Sequence, residues 1–224
     1  MSKISRGQKG EEQVIKVLDG VKEYHHLLNN VTLMNYESGM SHQLDHILIH
    51  PHGIFVIETK NYFGDITYNP SNKKWTATIK GNSKYIGDPL LQNKSHAVTL
   101  YKALQGRYKI IPIVVFAKNN APYMDDENII NLDDLLLFID SYPYEHKLTD
   151  KSVDKIKAQI EAVSVDMSIK EHVENISYLK QIKKELYLEK EYAIEKGICP
   201  RCNSKMLSKG YTYMCSKCNF KFKL

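Results

Sequence analysis

Hydrophobic positions concentrate in two short runs between residues 43 and 60, separated by a turn. Gln43-Leu-Asp-His-Ile-Leu-Ile-His50 has strand character, Pro51-His52-Gly53 reads as a turn, and Ile54-Phe-Val-Ile-Glu-Thr-Lys60 is a second strand. The pattern predicts a hairpin over 43–60. Upstream, Val14, Ile15, Leu18 and Val21 recur at helical spacing and predict a helix over 7–21. Further strands are expected near 64–68 and 74–80. Asp88-Pro89 opens a helix that runs to about Gln105, before Gly106. Residues 110–117, Ile-Ile-Pro-Ile-Val-Val-Phe-Ala, form the unbroken apolar run of a buried central strand. Asp133 and Asp134 open another helix over Leu135–Ile139. From about 145 the character changes. Residues 150–196 hold no Gly or Pro and read as helix throughout, the charged stretch Ser177–Glu195 being partly exposed and Gly197 ending it.

The 224 residues suit one ordinary domain with an appendage. The pattern divides them into 1–144, a helical extension 145–196 and a small C-terminal module 197–224. No apolar run approaches the roughly 20 residues that cross a bilayer, and the first residues lack the apolar core of a signal peptide. The expectation is a cytoplasmic protein with no membrane association. Net charge is +5. Residues 1–144 balance fifteen basic against fifteen acidic side chains, and 145–224 hold sixteen against eleven. After Glu195 there is no acidic side chain, while Arg201, Lys205, Lys209, Lys217, Lys221 and Lys223 follow. Such an excess suits a phosphate backbone, with a solubilising tail as the plainer alternative.

All four cysteines fall in this module, as Cys199-Pro-Arg-Cys202 and Cys215-Ser-Lys-Cys218. Two such knuckles supply four thiolates to one tetrahedral ion, which predicts a closed structural zinc site. Two disulfides are the rival reading, which a reducing compartment disfavours. So short a segment buries little, so metal binding has to supply much of its folding free energy. The segment resembles the four-cysteine zinc ribbons at the C-termini of type I topoisomerases and many bacterial DNA enzymes.

Asp45 lies on the first hairpin strand, and Glu58 and Lys60 lie on the second. Residues two apart on a strand share a face, so Glu58 and Lys60 project together from an apolar segment. Charges there are expensive to bury unless paired or metal-bound. Asp45 and Glu58 suit a shared magnesium or manganese ion, and Lys60 suits a role beside an attacking water. The plain alternative is a surface pair at a sheet edge.

This order, Asp45 and then Glu58-Thr59-Lys60 across a short hairpin, resembles the PD-(D/E)xK nuclease signature, with Leu44 where proline stands before the Asp. The stretch from Gln43 to Gly64 and the opening Gly7-Gln-Lys-Gly-Glu-Glu12 resemble the nuclease-related domain family, over about residues 5–120. The resemblance implies an α/β core of order αβββαβ with a mixed central sheet flanked by helices. It also implies metal-dependent hydrolysis of nucleic acid, with DNA expected. Asp45, Glu58 and the Thr59 carbonyl would hold the ion. Glu11 shares the helical face of Val14 and Leu18, and is the candidate for the acidic residue that related nucleases bring from their first helix. Gln92 resembles the first residue of a Gln-x-x-x-Tyr element, but His96 replaces the tyrosine, which argues against a role for His96. A non-catalytic nucleic-acid-binding or regulatory module that keeps the fold is the competing reading. His46, His50 and His52 meet no fixed metal spacing and are expected as surface or hairpin histidines. Trp75 and most of the fifteen tyrosines are expected as core and rim residues.

Overall fold

The computed structural model describes residues 5–124 and 126–223. The chain divides into two compact units between Met167 and Ser168. The first contains α1 (Arg6–Leu18), β1 (His26–Asn35), β2 (Met40–His50), β3 (Gly53–Lys60), β4 (Asp65–Asn69), β5 (Lys74–Ile79), β6 (Asn82–Ile86), α2 (Pro89–Ala103), β7 (Ile110–Phe116), β8 (Ile129–Asn131), α3 (Leu135–Ser141) and α4 (Asp150–Val163). The second contains α5 (Ile169–Glu195), β9 (Met206–Lys209), β10 (Thr212–Cys215) and β11 (Lys221–Lys223).

The central sheet has the order β1-β2-β3-β7-β8. Its first three strands are antiparallel, and β3, β7 and β8 are parallel. This is the mixed sheet with flanking helices of a nuclease-like fold. Strand β3 is apolar on both faces because both are covered. Phe55 and Ile57 pack with Val14 and Leu18 of α1 and Leu135 and Ile139 of α3. Ile54 and Val56 pack on the other side with Ala97 and Leu100 of α2 and Val153, Ile156 and Ile160 of α4. Asn93, buried on α2, donates from Nδ2 to the carbonyls of Val56 and Ile113, at 2.9 and 2.7 Å. That clamp fixes α2 against both central strands.

Three expectations are corrected. The third antiparallel strand of the central sheet is His26–Asn35, which the polarity pattern hid because Asn29-Asn30 interrupts it. The strand expected at 64–68 instead joins a separate sheet, β4-β5-β6. Trp75 anchors that sheet against Val114 and Phe116. Finally, helix is not continuous over 150–196. It stops at Val163 and restarts at Ile169, where Ser168 and Glu171 form a capping box. The Val165 N–H, between the two helices, bonds to the Thr32 carbonyl of β1 at 2.9 Å. The expected extension 145–196 is thus split, with α4 in the core of the first unit and α5 in the second.

Two glycines set close approaches. Gly10 is buried, and a Cβ there would stand 2.7 Å from Asn61 Cβ and 3.2 Å from Thr59 Cγ2. It lets α1 sit against the end of β3. Gly64 has φ of +82°, and a Cβ would meet the Thr78 carbonyl oxygen at 2.0 Å. Gly10→Ala should therefore destabilise the fold by about 1–3 kcal/mol. Gly7→Ala, whose nearest neighbours lie at 3.8 Å, should be neutral within about 0.5 kcal/mol. Denaturant melts of the two variants check both.

Candidate active site

The site forms where β2 and β3 part. Paired residues run from His50↔Gly53 to His46↔Ile57, and the ladder ends there. Asp45, the next residue of β2, turns its side chain to β3, and Oδ2 accepts the Thr59 backbone N–H at 2.8 Å. The β1–β2 pairing is also interrupted at this point, since neither Asn30 nor Asp45 is matched between Asn29↔His46 and Val31↔Leu44. Asn30 takes a φ of +54°. Leu44 and Ile47, three apart, consequently pack in the same core cluster, which strict alternation would forbid. The kink is what aims Asp45.

Glu58 and Lys60 project towards α2. Lys60 Nζ donates to Glu58 Oε1 at 2.5 Å and to Gln92 Oε1 at 3.1 Å. His96, one turn along α2 from Gln92, places Nδ1 3.3 Å from Glu58 Oε2 without hydrogen-bond alignment. Glu58 is 3% exposed. Burial alone would raise its carboxyl, but His96 and Lys60 outweigh that and hold it below its ordinary value. Burial likewise disfavours charge on Lys60, and Glu58 beside it reverses the sign and raises the ammonium. Asp45 has no such cation of its own. Burial, then the charges of Glu58 and Glu11, push its carboxyl up to about 7 against the Thr59 hydrogen bond. Glu11, half-buried on α1, is raised by burial and then by Glu58.

The residues named from sequence for this site, Asp45, Glu58, Thr59, Lys60, Gln92 and Glu11, thus meet at one end of the sheet. His96, set aside for departing from the tyrosine pattern, stands against Glu58, and its spacing of four from Gln92 was the available signal. Of the two positions expected for His46, His50 and His52, the hairpin holds and the surface does not, because all three are buried. His46 lies between Asn29 Oδ1 at 2.7 Å and Thr59 Oγ1 at 3.2 Å, and burial lowers its pKa to about 4. It is a neutral brace beneath β3.

A cleft of about 600 Å³ opens beside Lys60, lined among others by Arg6, Phe63, Ile79 and Lys84. Arg6 and Lys118 stand over the Phe63 ring at 4.7 and 5.4 Å. The adjoining β4-β5-β6 sheet carries Lys73, Lys74, Lys80 and Lys84, and no acidic residue falls in 66–86. That local excess was invisible in the charge balance of residues 1–144.

In the second unit the four cysteine sulfurs lie within 4.8 Å of one another. Cys199 and Cys218 are 3.6 Å apart and Cys202 and Cys215 3.4 Å, far from disulfide length and near the spacing of thiolates on one ion. The N–H groups of Arg201 and Lys217 donate to Cys199 and Cys215 at 3.4 and 3.3 Å. Arg201, Lys205, Lys209, Lys217, Lys221 and Lys223 are all exposed. The register aligns Lys209 and Lys223 on either side of Thr212 and places Lys221 opposite Met214, so three of these lysines share the outer face of one small sheet.

Residues 6–117, half of the chain, match the model of the nuclease-related domain. An uncharacterized protein of Bacillus anthracis is 30% identical over 158 residues, covering 67% of this chain and 73% of that protein. No solved structure matches. No described helix is long and apolar enough to cross a membrane.

The Asp45 environment has a consequence for stability. Its carboxyl is ordinary near 3.8 when unfolded and about 7 when folded. The folded state therefore holds this proton more tightly, and stability from this group is lost as pH rises through that interval. Without divalent metal, Asp45→Asn should match the parent near pH 4 and exceed it by roughly 1–2 kcal/mol at pH 8. Urea melts across pH measure this, and parallel profiles for the two proteins would contradict it.

Proposed function

We propose, from the premise that this chain belongs to the nuclease-related domain family, that it is a metal-dependent nuclease hydrolysing phosphodiester bonds in DNA. The observation that carries the reading is the buried Glu58 Oε2, which makes no hydrogen bond among the described residues. It stands in a cluster whose second carboxylate, Asp45, is pushed up to about 7 by burial and then by the negative charges of Glu58 and Glu11. Oxygen donors crowded in this way fit a hard divalent cation.

Asp45 and Glu58 would hold magnesium or manganese, with the Thr59 carbonyl beside them and Glu11 contributing through water. Such an ion, when bound, polarises a phosphoryl oxygen and lowers the pKa of its water. The protein's own groups supply the rest. Lys60, held by Glu58 and Gln92, presents an ammonium that orients the nucleophile and offsets charge developing on the phosphate. Its two hydrogen bonds fix the side chain before substrate arrives, so little reorganisation is needed in the transition state. His96 keeps Glu58 ionised. Arg6, Lys84 and Lys118 line or flank the cleft with charge for a phosphate backbone, and Phe63 offers a face for base stacking. In the second unit, the cysteines would hold one structural zinc, and Lys209, Lys221 and Lys223 would add sequence-independent affinity for DNA.

Two experiments test the proposal. Glu58→Ala should abolish both magnesium binding and cleavage of labelled DNA. Lys60→Ala should leave metal and DNA binding near parental values while kcat falls by about 10²-fold or more, because it removes a transition-state contact. Parental cleavage by both variants, or no cleavage by the parent with any divalent metal, would refute the assignment. For the ribbon, Cys199→Ser and Cys215→Ser should each lower zinc content by one equivalent per chain in elemental analysis. Unchanged zinc content would remove the metal from this module.

A further inference from the structure

We propose that Glu23, His50 and His52 form a second metal site, which takes a divalent transition ion of the zinc type, at the end of the sheet opposite the carboxylate cluster. His50 closes β2, His52 follows in the turn to β3, and Glu23 lies in the segment between α1 and β1. Glu23 Oε2 stands 3.9 Å from His50 Nε2 and 3.8 Å from His52 Nε2. One ligand atom from each residue lies within 4.8 Å of the others. Ligands about 2.0–2.2 Å from one tetrahedral zinc stand roughly 3.3–3.6 Å apart. A contraction of a few tenths of an ångström at Glu23, and of at most about 1.5 Å between the two imidazoles, therefore closes the set.

A second observation points to a ligand. The His50 side chain is wholly buried and directed towards Glu23, yet Nε2 makes no hydrogen bond among the described residues. A buried polar atom left in this way is expensive. Glu23 does not satisfy it, because at 3.9 Å its Oε2 stands beyond hydrogen-bond distance. A neutral imidazole is the form that binds metal.

The surroundings hold the donors in place. His52 Nδ1 lies 3.1 Å from the Ile139 carbonyl, so it carries the proton and leaves the Nε2 lone pair free. Tyr144 stacks on the His52 ring at 4.4 Å between centroids. Lys147 holds the far oxygen of Glu23 at 2.9 Å and leaves Oε2 to the site. His50 Nδ1 accepts the His52 N–H at 3.2 Å. Ligation through Nε2 moves the ring proton to Nδ1 and releases that long contact. Two imidazoles and one carboxylate select zinc over magnesium, which prefers oxygen, and leave a fourth position for water. An ion there clips the β2–β3 turn to the loop that precedes β1.

The test is a zinc titration of the full chain, stripped with chelator, against a competing chromophoric chelator. The parent should bind one equivalent more than Glu23→Gln or His52→Ala, or bind that equivalent at least tenfold more tightly, with all three giving the same circular dichroism. Glu58→Ala should keep this equivalent, and Cys199→Ser should lose a different one, which separates the site from the nuclease cluster and the ribbon. Glu23 is at the surface, so Glu23→Gln reports even where a histidine variant misfolds. Equal stoichiometry and affinity in the parent, Glu23→Gln and His52→Ala would overturn the proposal.

Discussion

Glu58 and Lys60 sit where an apolar strand ends inside a helix-covered sheet. Neither charge could remain there alone. A buried ion pair contributes little net stability, but removing one partner typically costs about 3–5 kcal/mol. The surrounding structure is arranged to satisfy this pair. Gln92 and His96 come from α2, which is itself pinned by the Asn93 clamp on Val56 and Ile113. Because Asn93 bonds the backbone of two central strands, the positions of Gln92 and His96 relative to β3 are fixed to within hydrogen-bond tolerance. The pair thus links the packing of the helix to the geometry of the chemistry.

The carboxylates are organised differently. Asp45 and Glu11 approach Glu58 without a hydrogen-bonded cation, and burial and then the charge of Glu58 raise both. Gly10 allows α1 close to β3 and so brings Glu11 near, while the kink at Asn30 turns Asp45 inward. Both devices gather negative charge that a hydrophobic sheet alone would not tolerate. A fold selected for stability only would have no use for them, since each opposes an ordinary preference: regular alternation in one case and charge separation in the other. Crowded acceptors of this kind are useful when a cation joins them.

The second unit depends on other physics. Among the described residues, its buried cluster is built around Ile194, Met206 and the cysteines, and most of α5 is exposed. So small a core leaves the four sulfurs as the main organising element, and the basic residues lie outside them. Of the cysteines only Cys215 lies on a strand of the small sheet, and the pairing turns it away from the face that carries Lys209, Lys221 and Lys223.

Local patterns in the sequence were enough for the hairpin, for the apolar strand β7 and for the start of α2, because each is signalled by neighbouring residues: turn formers, an unbroken aliphatic run, an Asp-Pro cap. The same holds for the cysteine knuckles and for Asp45, Glu58 and Lys60, whose spacing along two strands already implies proximity. Strand β1 was not legible, since two asparagines break its pattern and only pairing with β2 makes it a strand. The break after α4 was equally hidden. No Gly or Pro marks it, and Val165 bonds to a residue more than a hundred positions earlier. His46, His50 and His52 read as surface or hairpin residues, and their burial was hidden because residue type carries no information about which face a neighbouring helix will cover. His96 read as a departure from a motif, whereas α2 brings it to Glu58. Sequence determined which groups could do chemistry. Tertiary packing decided which of them lost water and which charges stood beside them, and the two together set the direction of each pKa shift.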